Sequence, residues 1–206
     1  MNIGWALVPI AMTLAWLLPL VPRYTKTSAA RMWTTWLVSS SVAGVVVGWS
    51  ANRADVGTWT MIGLGFAIVP MGALFTIDVF EHRLPRQIAL TATVPLILLA
   101  MIESGPASRE GVLIAAGINT LIALGLRWAT RGSLGQGDVM VSPMLGALVG
   151  CFDPWSLATL WLSASMLGAV WSIGLIMSGR RSKSDHIAYG PFLIVGALAA
   201  VWWSVV

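Results

Sequence analysis

Gly135-Gln136-Gly137-Asp138-Val139 sets a carboxylate at the start of an uncharged stretch that runs from Val139 to Phe152, with Arg127 and Arg131 just upstream. An acid at the lip of an apolar segment is costly in a membrane unless it has a partner or a task. The glycines leave little bulk beside the carboxylate, and a helix N-terminus favours its ionised form. A helix cap with a glycine turn would use the same residues, so the stretch alone leaves both readings open. Its setting decides the fold class, because the same apolar texture recurs along the chain.

Of 206 residues, 57% are hydrophobic and only 10% charged, whereas soluble domains carry about a quarter charged residues. The apolar residues fall in long blocks between short charged loops, which is the pattern of a polytopic helical membrane protein. Eight spans are expected: Ile3 to Val21, Met32 to Ala51, Gly57 to Ile77, Ile88 to Ile102, Gly111 to Ala129, Val139 to Phe152, Trp155 to Ser178 and Ile187 to Val206. No Lys or Arg precedes the first and no small-residue cleavage site follows it, so it reads as a retained helix. Gly44 and Gly48 have the spacing of a close helix contact. The fourth and sixth spans are shorter than the usual ~20 residues.

Loop charge tests the count. With the N-terminus outside, the inner loops hold Arg23, Lys26, Arg31, Arg83, Arg86, Arg127, Arg131, Arg180, Arg181 and Lys183, and the outer loops only Arg53 and Arg109, which exhausts the 12 basic residues. Basic residues concentrate on the cytoplasmic side, and removing one span would scramble the alternation. The expected architecture is therefore an all-α bundle of about eight transmembrane helices with both termini outside. It is one membrane domain, with two N-terminal helices in 1–56 and a six-helix core in 57–206. Orientation in the bilayer accounts for the net charge of +4, so no nucleic-acid partner is expected. A single cysteine, Cys151, excludes an intrachain disulfide framework and a CxxC metal site. Trp33, Trp59, Trp128, Trp155, Trp202 and Trp203 fall near expected interfaces, where amphipathic rings settle.

This topology puts Asp78, after the apolar run Ala73-Leu74-Phe75-Thr76-Ile77, at the same depth and on the same face as Asp138. Asp55, Glu81, Glu103, Glu110, Asp153 and Asp185 fall in loops and read as solvated. Two carboxyls at close quarters do not both ionise cheaply and tend to share a proton. One can then take a proton from water while the other polarises a peptide carbonyl, which is aspartyl proteolysis without a covalent intermediate. His82 and His186 are too few for a metal set. No serine sits in GxSxG or beside an obvious catalytic Ser–Lys pair, no P-loop or dinucleotide fingerprint occurs, and no cofactor is expected.

Ile77-Asp78 followed by Arg83-Leu84-Pro85, then Gly135-Gln136-Gly137-Asp138-Val139, then Ala188-Tyr189-Gly190-Pro191-Phe192 resemble, in this order, the motifs of the type IV prepilin peptidases. The resemblance runs from about Gly57 to the C-terminus. It implies a membrane aspartyl endopeptidase that removes the short basic leader of prepilins or pseudopilins, typically after a Gly, at the cytoplasmic face of the inner membrane. Asp78 and Asp138 would be the catalytic pair. Gly135 and Gly137 would shape the backbone around Asp138, Pro85 would end the turn after Asp78, and Tyr189, Gly190 and Pro191 would line or brace the site.

Three departures stand out. Met140 occupies a position where many members have Lys, and Arg86 one where Asn is frequent. The loop from Arg23 to Arg31 has no Cys, whereas bifunctional members carry a Cys-rich zinc segment near the N-terminus and methylate the new amine. Methyl transfer is therefore not expected. Two other functions compete: a carboxylate-dependent ion-coupled transporter, and an inactive family member serving pilus or secretion assembly. Acids at a single depth weaken the first, because a pathway needs polar groups at several depths. Retention of both aspartates weighs against the second. Asn119, the one amide deep in a span, reads as a bond to a neighbouring helix. The particular substrate and the oligomeric state are not legible.

Overall fold

The computed structural model describes residues 4–19, 28–103, 106–132, 134–178 and 189–206. Among them are eight α-helices and no strand: α1 Gly4–Leu17, α2 Ala29–Arg53, α3 Thr58–Glu81, α4 Arg86–Ile102, α5 Pro106–Ala129, α6 Gln136–Gly150, α7 Leu157–Met177 and α8 Gly190–Trp203, with a 3₁₀ turn at Pro154–Ser156. Each helix corresponds to one expected span. Among the described residues three segments are long and apolar enough to cross a membrane, Thr58–Glu81, Arg109–Ala129 and Pro154–Met177. Arg23, Lys26, Arg180, Arg181, Lys183, Asp185, His186 and Ala188 lie outside the described residues.

The short sixth helix is explained by its position. From Val141 to Gly150 every residue of α6 but Pro143 is buried, with α4, α5 and α8 packed around it. A helix enclosed by others need not match the bilayer thickness. Its contact with α5 is backbone against backbone: a Cβ added at Gly146 would lie 2.5 Å from the Ala115 carbonyl oxygen, and one at Gly150 2.5 Å from that of Gly111. Such approach needs small residues. Asn119 is fully buried in the same seam; its Nδ2 donates to the Ser142 carbonyl at 2.8 Å and its Oδ1 accepts from Trp161 Nε1 at 2.8 Å. The expected interhelical role of Asn119 is thus observed, and it ties α5 to α6 and α7.

Helix α3 is the other central element, packed against α1, α2 and α4. Pro70 leaves a carbonyl of the preceding turn without its usual amide donor, and α2 docks beside this irregular turn. Trp36 Nε1 donates to the Val69 carbonyl at 3.2 Å, and Ser39 Oγ to that of Gly72 at 3.2 Å. The expectation for Gly44 and Gly48 is corrected here. A Cβ on Gly44 would meet only Ile68, at an ordinary 3.7 Å, and one on Gly48 nothing within 4 Å. The face of α2 against α3 is set by Trp36, Ala43 and Val47, all buried, and the two glycines sit one position off it. The close approach is at Gly72 of α3, which faces Ser40.

Two acids read as solvated also have structural work. Glu103 accepts from the amides of Trp59 and Thr60 at 3.1 and 3.2 Å, capping the N-terminus of α3 from the C-terminal end of α4. Asp153 accepts from the Trp155 amide at 3.2 Å and Ser156 Oγ at 2.9 Å. The unpaired amides of a first helical turn attract carboxylates, and loop position alone does not reveal this. The tryptophans divide. Trp128 and Trp155 are 86% and 84% exposed, as interfacial anchors would be, while Trp33 stacks on buried Trp36 and Trp202 on Trp49.

Candidate active site

Asp78 lies in the last turn of α3 and Asp138 in the first turn of α6. The helices run in opposite directions, so their two ends meet at one level of the bundle. Both carboxyls are buried, 4% and 5% exposed, and lie within electrostatic range of each other. Thr76, Ile77, Val139 and Val141 are buried around them.

Each carboxyl has its own backbone setting. Gly135 caps α6, and its N–H donates to Asp138 Oδ2 at 3.1 Å. One turn on, Ser142 Oγ donates to the Asp138 carbonyl at 2.8 Å. The helix-cap role is therefore present as well; capping and proximity to Asp78 belong to the same side chain. The Gly190 amide, at the start of α8, faces Asp78, yet Asp78 Oδ2 itself is buried and accepts no hydrogen bond of good geometry. Two adjacent carboxyls with different hydrogen bonding are equipped for different proton roles.

The chain leaves α3 sharply. His82 caps it in the left-handed region at φ 52°, its amide bonds the Asp78 carbonyl at 3.0 Å, and its Nδ1 lies 3.1 Å from the same oxygen. Pro85 caps α4 in extended conformation and closes the turn after Asp78. Leu84, between them, is the residue that sequence reasoning left without a role. A Cβ on Gly137 would lie 2.7 Å from Leu84 Cβ, and one on Gly190 would meet Leu84 Cδ1 at 2.9 Å and overlap Asp78 Oδ2. Leu84 therefore wedges between the starts of α6 and α8, and both helices need glycine to admit it. Its signal was the hydrophobic residue of the Leu-Pro pair.

Tyr189 and Pro191 lie further out. Tyr189 caps α8, its hydroxyl is 3.2 Å from Ser165 Oγ, and its ring packs on Phe192. It braces α8 against α7, while Pro191 starts the helix. Arg127 Nη1 donates to the Leu134 carbonyl at 2.6 Å, fixing the loop that delivers Gly135. Among the described residues no three His, Cys, Asp or Glu side chains are gathered as a metal would need.

Residues 65–173 match the type IV leader peptidase family, a stretch that contains Asp78, Pro85, Gly135, Gly137 and Asp138. The chain is 30% identical over 179 residues to a prepilin leader peptidase/N-methyltransferase of Aeromonas hydrophila, covering 82% of this chain and 56% of that protein. It is 30% identical over 165 residues to the protein of the same description from Aeromonas salmonicida (strain A449), covering 76% and 50%. The chain thus spans about half the length of the curated relatives it matches. No solved structure matches it significantly.

Proposed function

The chain belongs to the type IV leader peptidase family, and from that premise we propose that it is an aspartic endopeptidase removing the short basic leader of prepilins or pseudopilins. The observation that carries the reading is the convergence of three distant segments. Asp78 with Leu84, Gly137 with Asp138, and Gly190 all meet around one buried pair of carboxyls. In the proposed reaction the ionised carboxyl takes a proton from water as that water attacks the scissile carbonyl carbon. The protonated partner hydrogen-bonds the carbonyl oxygen. Collapse of the tetrahedral species passes a proton to the leaving nitrogen and restores the shared-proton pair. Co-expression with a prepilin tests this directly: a mobility shift that depends on Asp138 supports it, and an unshifted substrate overturns it.

The site is assigned to the cytoplasmic face of the inner membrane, on the ground that Arg83, Arg86, Arg127 and Arg131 flank the pair. In a Cys151→Ser background, cysteines at Arg83 and Gln136 should label from the cytoplasmic side, and cysteines at Asp55 and Trp155 only from outside. Labelling of Arg83→Cys and Gln136→Cys from opposite sides would sink both the topology and the dyad.

Methyl transfer is not part of the proposal, because the loop from Arg23 to Arg31 has no Cys. With this protein as the sole family member in the cell, mass spectrometry of the mature substrate should find a free amine. A mass increase of one methyl group there would contradict this reading of the loop.

A further inference from the structure

We propose that the apolar groove between α2, α3 and α8 seats the hydrophobic helix of the substrate and presents the bond to be cut at Asp78. This rests on the peptidase reading above. The groove encloses about 390 Å³, and its walls include Val38 and Ser39 of α2, Met71 and Phe75 of α3, and Ile194 and Leu198 of α8. Met71, Phe75 and Asp78 fall at i, i+4 and i+7 on α3, one continuous stripe. On α8 the stripe Leu198, Ile194, Gly190 steps back by four each time. The two walls therefore run toward the same point, where Gly190 abuts the Asp78 carboxyl. At ~1.5 Å per residue, Met71 lies about 10 Å and Leu198 about 12 Å along the helices from that point, roughly two turns of a bound helix.

What favours the substrate over a lipid chain is continuity with the carboxyl pair, because both walls end at Asp78 and Gly190. Ser39, Ala43 and Gly72 at the floor are taken up by the contact between α2 and α3. A second apolar groove, lined by Met12, Trp16, Phe66 and Val94 among others, is larger at about 500 Å³. Phe66, its one wall residue on α3, precedes Asp78 by twelve residues, about 120° round the helix. Its other walls belong to α1 and α4, so that groove lies off the stripes that end at Asp78 and Gly190. Position selects the smaller one.

The test uses a membrane-inserted peptide with a short Lys/Arg leader ending in Gly, followed by an apolar helix of about 20 residues. A single cysteine sits two turns past the Gly. In a Cys151→Ser, Asp138→Asn background, disulfide cross-linking should occur from Val38→Cys and Val195→Cys, and not from Val94→Cys in the second groove or Leu121→Cys on α5. Equal yields at all four positions, or a preference for Val94, overturn the groove. In the active enzyme, Val38→Trp should raise KM for the full peptide about tenfold at unchanged kcat, the mark of lost uniform binding. A leader peptide lacking the helix should be cut as by the wild type. An unchanged KM for the full peptide also overturns the proposal, since bilayer lipid would then be the occupant. If the wild type cuts neither peptide while Val38→Cys still cross-links, the peptidase reading falls and the groove stands.

Discussion

Asp78→Asn and Asp138→Asn should each reduce leader cleavage by at least about a hundredfold, the lower bound for a group that transfers protons in the transition state. The pair works only if one member accepts a proton and the other donates one, and an amide does neither. Folding should survive both changes. Asp78 Oδ2 accepts no hydrogen bond of good geometry, so an isosteric amide removes a charge without breaking a contact there. The amide of the Asp138→Asn variant would keep an oxygen for the Gly135 N–H. It would lose only the attraction of a carboxylate for a helix N-terminus, about 0.3–1 kcal/mol. Membrane insertion should therefore match the wild type and thermal stability fall by no more than a few degrees while processing disappears. Normal processing by either variant removes the dyad. With chemistry rate-limiting, the wild-type pH–rate profile should be bell-shaped, its two limbs belonging to the pair rather than to either aspartate.

The all-helical class, and the meeting of the end of α3 with the start of α6, were legible because both follow from period and charge. Apolar blocks between basic loops count helices, and counting helices puts the end of α3 and the start of α6 at one level. Glycine was less readable. Gly44 and Gly48 have the spacing of a contact, but spacing does not say which face of a helix meets a partner. The close approaches at Gly72, Gly146 and Gly150 depend on what lies opposite. Capping was missed at Glu103 for the same reason, since its partners lie 43 and 44 residues away. Leu84 is the most instructive case. Its neighbour Pro85 has an evident local role, whereas a leucine shows its function only when Gly137 and Gly190 arrive from two other helices.

Gly190→Ala should damage cleavage more than any other single-methyl change at the glycines beside the two carboxyls. A Cβ there would overlap Asp78 Oδ2 and sit 2.9 Å from Leu84 Cδ1. Leu84 can turn away; the carboxyl, held in a packed last turn of α3, has no such freedom. The cheapest relief is displacement of Asp78 or of the start of α8, and misplacing a reacting group by about 1 Å can cost on the order of a hundredfold in rate. Overpacking should also cost about 1–3 kcal/mol of stability. Gly137→Ala is the milder companion, because its Cβ would press on Leu84 Cβ at 2.7 Å without touching either carboxyl. Gly48→Ala, with nothing within 4 Å, is the control and should be silent. The measurement is kcat on a prepilin alongside thermal stability in detergent. Gly190→Ala should lower kcat far more than Gly137→Ala at similar loss of stability, since only the first reaches a carboxyl oxygen of the proposed pair. Equal losses of kcat in the two variants would mean that these glycines serve helix packing alone, and that Gly190 has no special relation to Asp78.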